Sequence, residues 1–201
     1  MNNDADSYRR YLEGDDSGLA EIIERYDRRL SLYINSIVKN ICLAEEIMQE
    51  TFVKLAVKKP KFKVNSSFKT WLYAIGRHRA IDHVRRRSRE IVGIPEEKER
   101  QIADADDVEE NCIHDEEKKE LYRAMRNLRQ EYRLVLWLKY FESMSANEIA
   151  AVTGKSTHSV YHLCERAVEE LRRKLSGMRA DSEMRQGSLR SETEMDNNER
   201  S

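Results

Sequence analysis

Two prolines, seven glycines and three cysteines in 201 residues leave this chain few places to turn sharply and no basis for a cross-linked framework. Scarce breakers beside many Glu, Arg, Lys, Leu and Ala residues favour helices over strands, so an all-α protein is expected. Cys42, Cys112 and Cys164 are isolated, with no C-x-x-C pair, which fits a reduced, cytoplasmic setting. No apolar run approaches the roughly 20 residues that span a bilayer, and the polar, acidic N-terminus does not read as a signal peptide. A soluble protein that is not exported is expected. A Gly-rich phosphate loop is missing, as is any Ser or Cys nucleophile with a plausible base, so neither an enzyme nor a cofactor is expected. His158 and His162 are spaced i, i+4 on a helical pattern, with Cys164 nearby. Cys164 falls on the buried stripe, no H-E-x-x-H carboxylate is present and no third ligand is evident, so no metal site is expected.

Net charge is −1, which gives no general attraction for nucleic acid, but the charge is segregated. Between Arg77 and Arg89 there are six arginines and one acid, whereas Glu96 to Glu120 holds twelve acids and four bases. One surface suits phosphate and another repels it.

Apolar residues at Leu19, Ile22, Ile23, Tyr26, Leu30, Ile34, Ile37 and Val38 form the stripe of an amphipathic helix over Asp16–Lys39. A second helix is expected over Leu43–Lys58, with Ile47, Met48, Phe52, Val53 and Leu55 supplying much of its apolar surface. Pro60 closes that stretch, Lys61 to Ser67 reads as a loop, and a third helix runs from about Ser66 to Arg87 with Phe68, Trp71, Leu72 and Ile75. Phe68 and Trp71 sit on that apolar stripe, so core packing is favoured for them over stacking on a nucleic-acid strand. These helices can share one core, giving a first domain over 5–90. Residues 91–111 lose periodicity, turn acidic and read as a flexible linker. A second helical domain follows over 112–176, with Leu121, Ala124, Met125 and Leu128 on one helix and Tyr132, Val135, Leu136, Tyr140 and Phe141 marking the next. Residues 177–201 are polar and breaker-spotted and are expected to form a mostly disordered tail.

The most specific local pattern lies between Ser145 and Leu175. Ser145 and Glu148 have the spacing of a capping box, Gly154 permits a tight turn, and Ser156 or Thr157 can cap the next helix. That helix buries Val160, Leu163, Cys164, Ala167, Val168, Leu171 and Leu175, and exposes Thr157, His158, Ser159, Tyr161, His162 and Arg166 early on. This is a helix-turn-helix, whose second helix enters the major groove with its early exposed positions against bases and phosphates.

The run Leu136 to Ala150, with Tyr140-Phe141-Glu142-Ser143-Met144-Ser145 before Glu148-Ile149-Ala150, resembles the promoter-binding region 4 of bacterial sigma factors. Ala44 to Phe52 is similar to the region 2 helix that grips the RNA polymerase β′ subunit. Phe68 to Asp82, followed by the arginine run, resembles the promoter-melting helix. Region 2 and region 4 alone, in this order and separated by a variable linker, look like the extracytoplasmic-function group of the sigma-70 family.

The resemblance implies an alternative sigma factor that binds core polymerase and directs promoter recognition and strand opening. Region 2 would meet the β′ coiled coil through Glu46, Gln49 and Glu50, and region 4 would meet the β flap. Around the minus-10 element, Phe62, Lys63, Val64, Asn65 and Ser66 would line a pocket for a flipped base, with Phe62 stacking and Asn65 hydrogen-bonding. Arg77, Arg79, Arg85, Arg86 and Arg87 would take phosphates, and His78 stands where the family has a base-reading Asn. Thr157, His158, Ser159, Tyr161, His162 and Arg166 would face the minus-35 element. An anti-sigma factor is a further implied partner. The linker is open to two readings, a solvated tether or an RNA mimic threaded through the polymerase.

Two departures from the family pattern stand out. Gly76-Arg77-His78 replaces Ala-Arg-Asn. Within Val160 to Ala167 the recognition helix loses two bases and gains an acid, so the C-terminal domain alone should bind DNA weakly. A stand-alone helix-turn-helix regulator is the alternative, but it leaves the Glu46–Glu50 and Trp71–Arg87 helices without a shared purpose.

Overall fold

The computed structural model describes residues 4–62, 67–90 and 116–198, and the acidic linker expected over 91–111 lies outside them. Among the described residues all regular structure is helical. The first domain consists of α1 (Asp4–Leu12), α2 (Ser17–Val38), α3 (Ile41–Lys58) and α4 (Phe68–Glu90). The second consists of α5 (Glu116–Arg126), α6 (Gln130–Leu136) with a π-turn over Trp137–Phe141, α7 (Ala146–Thr153) and α8 (Thr157–Asn198).

The boundaries follow from local chemistry. Asn40 caps α3 by accepting the Leu43 amide at 2.9 Å, and Lys39 and Lys59 end α2 and α3 in the left-handed conformation at φ 54° and 40°. In α2, Ile22, Leu30 and Ile34 are fully buried, as their spacing requires. α1 is the helix that periodicity did not announce. It packs so close to the first turn of α2 that a Cβ on Gly18 would lie 2.1 Å from the Ser7 carbonyl oxygen, so no other residue fits there. Its tyrosines serve the end of α3 and the chain beyond: Tyr11 donates to the Ala56 carbonyl and Tyr8 to that of Pro60, each at 2.8 Å. Carbonyls in the last turn of a helix have no internal partner, so such donors close a real gap.

Three features of the structure refine the sequence reading: the length of α8 and the exposure of Tyr140 and Val53. The stretch from 177 onward, expected to be a mostly disordered tail, continues as helix to Asn198. It contains no proline, and its Arg, Glu, Met and Ala residues outweigh Gly177 and Gly187 in local preference. Tyr140, grouped with the apolar residues of its helix, is 59% exposed. The wider π-turn between Trp137 and Phe141, closed by the Glu142 amide on the Trp137 carbonyl at 3.2 Å, shifts the helical phase there. Val53, counted in the apolar surface of its helix, faces outward at 58% exposure.

Four of the five buried tyrosines predict an alkaline limit. Burial raises the phenol of Tyr8 to about 12 and pushes those of Tyr26, Tyr33 and Tyr73 upward as well. The unfolded chain releases these protons near pH 10. Their stabilising contribution is therefore complete below about pH 10 and is lost as pH rises through the higher folded values. Tyrosinate absorbance should rise together with loss of helical circular dichroism. Ionisation of all nine tyrosines near pH 10 with the helices intact would contradict it.

Candidate nucleic-acid and polymerase interfaces

The helix-turn-helix is assembled by short-range bonds. Ser145 accepts the Glu148 amide and the Glu148 carboxylate accepts the Ser145 amide, completing the capping box of α7. Gly154 turns the chain at φ 70°, a left-handed conformation that suits glycine. Ser156 then caps α8 by accepting the Ser159 amide at 3.2 Å, and the Thr157 hydroxyl donates to Asn147 at 3.0 Å, tying the two helices together. Val160, Cys164 and Ala167 are buried, and burial pushes the Cys164 thiol up so that it stays protonated. His158, Ser159, Tyr161, His162 and Arg166 are exposed along one face, with Thr157 half-buried at its start.

The first domain presents α4 beside the chain that precedes it. Phe68 is buried, and Trp71 and Phe62 are half-buried against it with ring centroids 5.5 and 5.7 Å away. Tyr8 completes the pile, 5.3 Å from Phe68 and 5.4 Å from Trp71. Phe62 thus rests on aromatic neighbours that hold its ring. Lys63, Val64, Asn65 and Ser66 lie outside the described residues. Downstream, His78, Arg85 and Arg86 are exposed, while Arg77 and Arg87 are half-buried. At Gly76, α4 passes so near α2 that a Cβ would stand 3.0 Å from Leu30 Cδ1, a close approach that the Leu30 side chain would have to yield to.

The expected polymerase face is divided. Glu46 and Gln49 are exposed on α3, whereas Glu50 is half-buried and ion-paired with Arg79 at 2.5 Å. A carboxylate expected to meet polymerase and a guanidinium expected to meet phosphate therefore neutralise each other. Sequence reasoning missed Val53 and Val57, which are 58% and 75% exposed and extend the Gln49 row at four-residue steps. The signal was present, since α3 carries more apolar residues than one buried stripe can use.

The two domains are docked. α7 lies on α4, and α6 meets α2. Glu142, whose side chain is 3% exposed, pairs with Arg29 at 2.7 Å, and Lys69 donates to the Glu142 backbone carbonyl. Burial and the nearby Glu142 charge together hold the Tyr73 phenol far above its ordinary range. Arg133, itself buried, donates through Nε to the Ser36 carbonyl at 2.7 Å, and Gln130 donates to that of Ile37 at 3.4 Å. These carbonyls belong to the last turn of α2, where a cation also complements the helix dipole. At the opposite polarity, Glu148 accepts from Ser67 at 2.9 Å and from Thr70 at 3.2 Å, at the N-terminus of α4. Burial alone would raise the Glu148 carboxyl, but bonds from Ser145, Ser67 and Thr70 hold it below the usual range.

Comparison with known proteins agrees with both halves. Residues 22–90 match the model of sigma-70 region 2, and residues 118–171 match that of sigma-70 region 4. The ECF RNA polymerase sigma factor SigW of Bacillus subtilis is 27% identical over 171 residues, covering 81% of this chain and 91% of that protein. The RNA polymerase sigma factor CarQ of Myxococcus xanthus is 25% identical over 170 residues, covering 81% of this chain and 92% of that protein. Among solved structures, the sigma factor RpoE of Bartonella quintana, in complex with the anti-sigma factor NepR, aligns with a TM-score of 0.61 at 19% identity. That alignment covers 78% of this chain and 96% of RpoE. CnrH, in complex with the cytosolic domain of CnrY, aligns with a TM-score of 0.59 at 19% identity, over 85% of this chain and 96% of that one.

Proposed function

This chain belongs to the extracytoplasmic-function group of the sigma-70 family of RNA polymerase sigma factors, and from that premise we propose how its surfaces divide the work. It acts as an alternative sigma factor that binds core polymerase, brings it to promoter DNA and assists strand opening. The bond-making chemistry belongs to the polymerase, so the chain itself need not be an enzyme. It works where polymerase works, in the cytoplasm; no helix among the described residues is long and apolar enough to cross a membrane. One observation carries the proposal: a capped helix-turn-helix and an arginine-bearing helix beside an aromatic pile occur in one chain, each with exposed residues left for a ligand.

The α3 face of Glu46, Gln49, Val53 and Val57 is assigned to core polymerase, with polar residues toward its N-terminal end and exposed apolar residues toward its C-terminal end. The region around Phe62 and the exposed bases of α4 serve the minus-10 strand, and the exposed positions of α8 serve the minus-35 duplex. An anti-sigma factor is a further proposed partner, as in the aligned complex of RpoE with the anti-sigma factor NepR.

Core polymerase pull-down combined with run-off transcription on a genomic fragment pool tests the assignment. The double substitution Glu46→Lys, Val57→Asp should weaken core binding about 30-fold or more, the scale of losing a hot spot worth about 2 kcal/mol. Both residues are exposed, so helicity should be unchanged. A stand-alone regulator would give DNA binding without any retained polymerase or chain-dependent transcript.

A further inference from the structure

We propose that His158 and His162 form a bidentate site for a divalent transition-metal ion on the exposed face of α8. Their Nε2 atoms are 3.2 Å apart, and the rings meet edge to face at an interplanar angle of 88°. Two imidazole nitrogens bound to one ion at about 2.0–2.1 Å, with an angle between tetrahedral and octahedral values, stand roughly 2.9–3.4 Å apart. The separation present is that of a hydrogen bond between the rings, and it falls within the range a chelate needs. The i, i+4 spacing places both rings on one face, as in helical zinc motifs that use two histidines.

A third group supports the same orientation. Glu165 Oε2 lies 3.5 Å from His162 Nδ1, on the side of the ring away from His158. A carboxylate there favours a proton on Nδ1 of His162, so that its Nε2 accepts from the Nε2–H of His158, and a bound ion would replace that shared proton. Sequence spacing weighed against a metal because a third ligand was lacking. Among the described residues no group of three or more ligating side chains exists, and Cys164 is buried on the opposite stripe. The ion would therefore keep open positions, filled by water, and exchange readily. Two neutral imidazoles select Cu2+, Ni2+ or Zn2+ over the oxygen-seeking Mg2+ and Ca2+.

The site lies among the residues assigned above to the minus-35 duplex. A bound ion would bring positive charge to a helix poor in it, and its open positions could accept phosphate oxygens. That consequence rests on the function proposed above; the site itself does not, and metal titration without DNA separates the two.

The experiment is titration of the full-length protein with Cu2+, followed by calorimetry and electron paramagnetic resonance. One equivalent should bind with two coordinated nitrogens, and His158→Ala or His162→Ala should each weaken it at least tenfold. Glu165→Gln should weaken it less, by up to about tenfold. His78→Ala should leave it unchanged. If either helix variant binds Cu2+ as the native chain does, or if no stoichiometric binding precedes nonspecific uptake, the site does not exist. If the ion binds but DNA affinity is unmoved, the metal site stands and its role at the promoter is overturned.

Discussion

Exchanging Glu142 for lysine should release the helix-turn-helix domain from the first domain and leave both folded. The native carboxylate is 3% exposed and meets Arg29 at 2.7 Å, with Lys69 bonded to its backbone carbonyl. A lysine there would place a third cation in the same enclosed space. Disrupting a buried pair costs about 3–5 kcal/mol, and the 45% exposure of Arg29 places this case toward the lower end. At about 1.4 kcal/mol per tenfold, the equilibrium constant for docking should fall by roughly a hundredfold. Small-angle scattering should report a larger radius of gyration while far-ultraviolet circular dichroism stays constant. The reversed pair Arg29→Glu, Glu142→Lys should recover part of the docking, which isolates the pairwise contribution. If scattering does not change, Glu142 is not what holds the domains together. Under the proposed function, the undocked variant should also bind promoter complexes with higher apparent affinity, because less of the protein is withheld in the docked form.

Arg133→Met should be more damaging and should not separate the domains cleanly. The Arg133 guanidinium donates to the carbonyls of Ser36 in the first domain and of Arg126 and Leu128 in its own. Methionine fills a similar volume but donates nothing, leaving buried acceptors unmet at about 1–3 kcal/mol each. A total near 3 kcal/mol corresponds to a melting temperature about 12 °C or more lower for a domain of this size. The Glu142 variant should lose docking alone, whereas this one should lose docking and part of the second domain's stability. Calorimetry of the two variants side by side distinguishes the outcomes. An unchanged transition in Arg133→Met would mean that water replaces the guanidinium at little cost.

Features set by neighbouring residues were legible in the sequence. The capping box at Ser145, the left-handed turn at Gly154 and the span of α2 all depend on residues within a few positions of one another. α1 was not legible because a nine-residue helix with two buried tyrosines has too short a stripe to register. The phase shift at Tyr140 escaped because a π-turn has no strong local signature. Docking was invisible for a different reason. Arg29, Arg133, Glu142 and Glu148 look like ordinary surface charges in sequence, and only the fold brings each to its partner across a separation of 78 to 113 residues. For the site, residue types and order placed the DNA-facing helices, but Val53 and Val57 were hidden among residues of the same kind that do face the core.

The two oxygens of Glu148 serve different masters. Oε2 stays within its own domain, bonded to the Ser145 amide and hydroxyl, while Oε1 reaches across to Ser67 and Thr70. Undocking therefore removes the bonds to one oxygen and leaves α7 capped by the other. The helix-turn-helix can leave the first domain as an intact module and return without refolding, so cycles between a stored and an extended form need not expose the chain to misfolding.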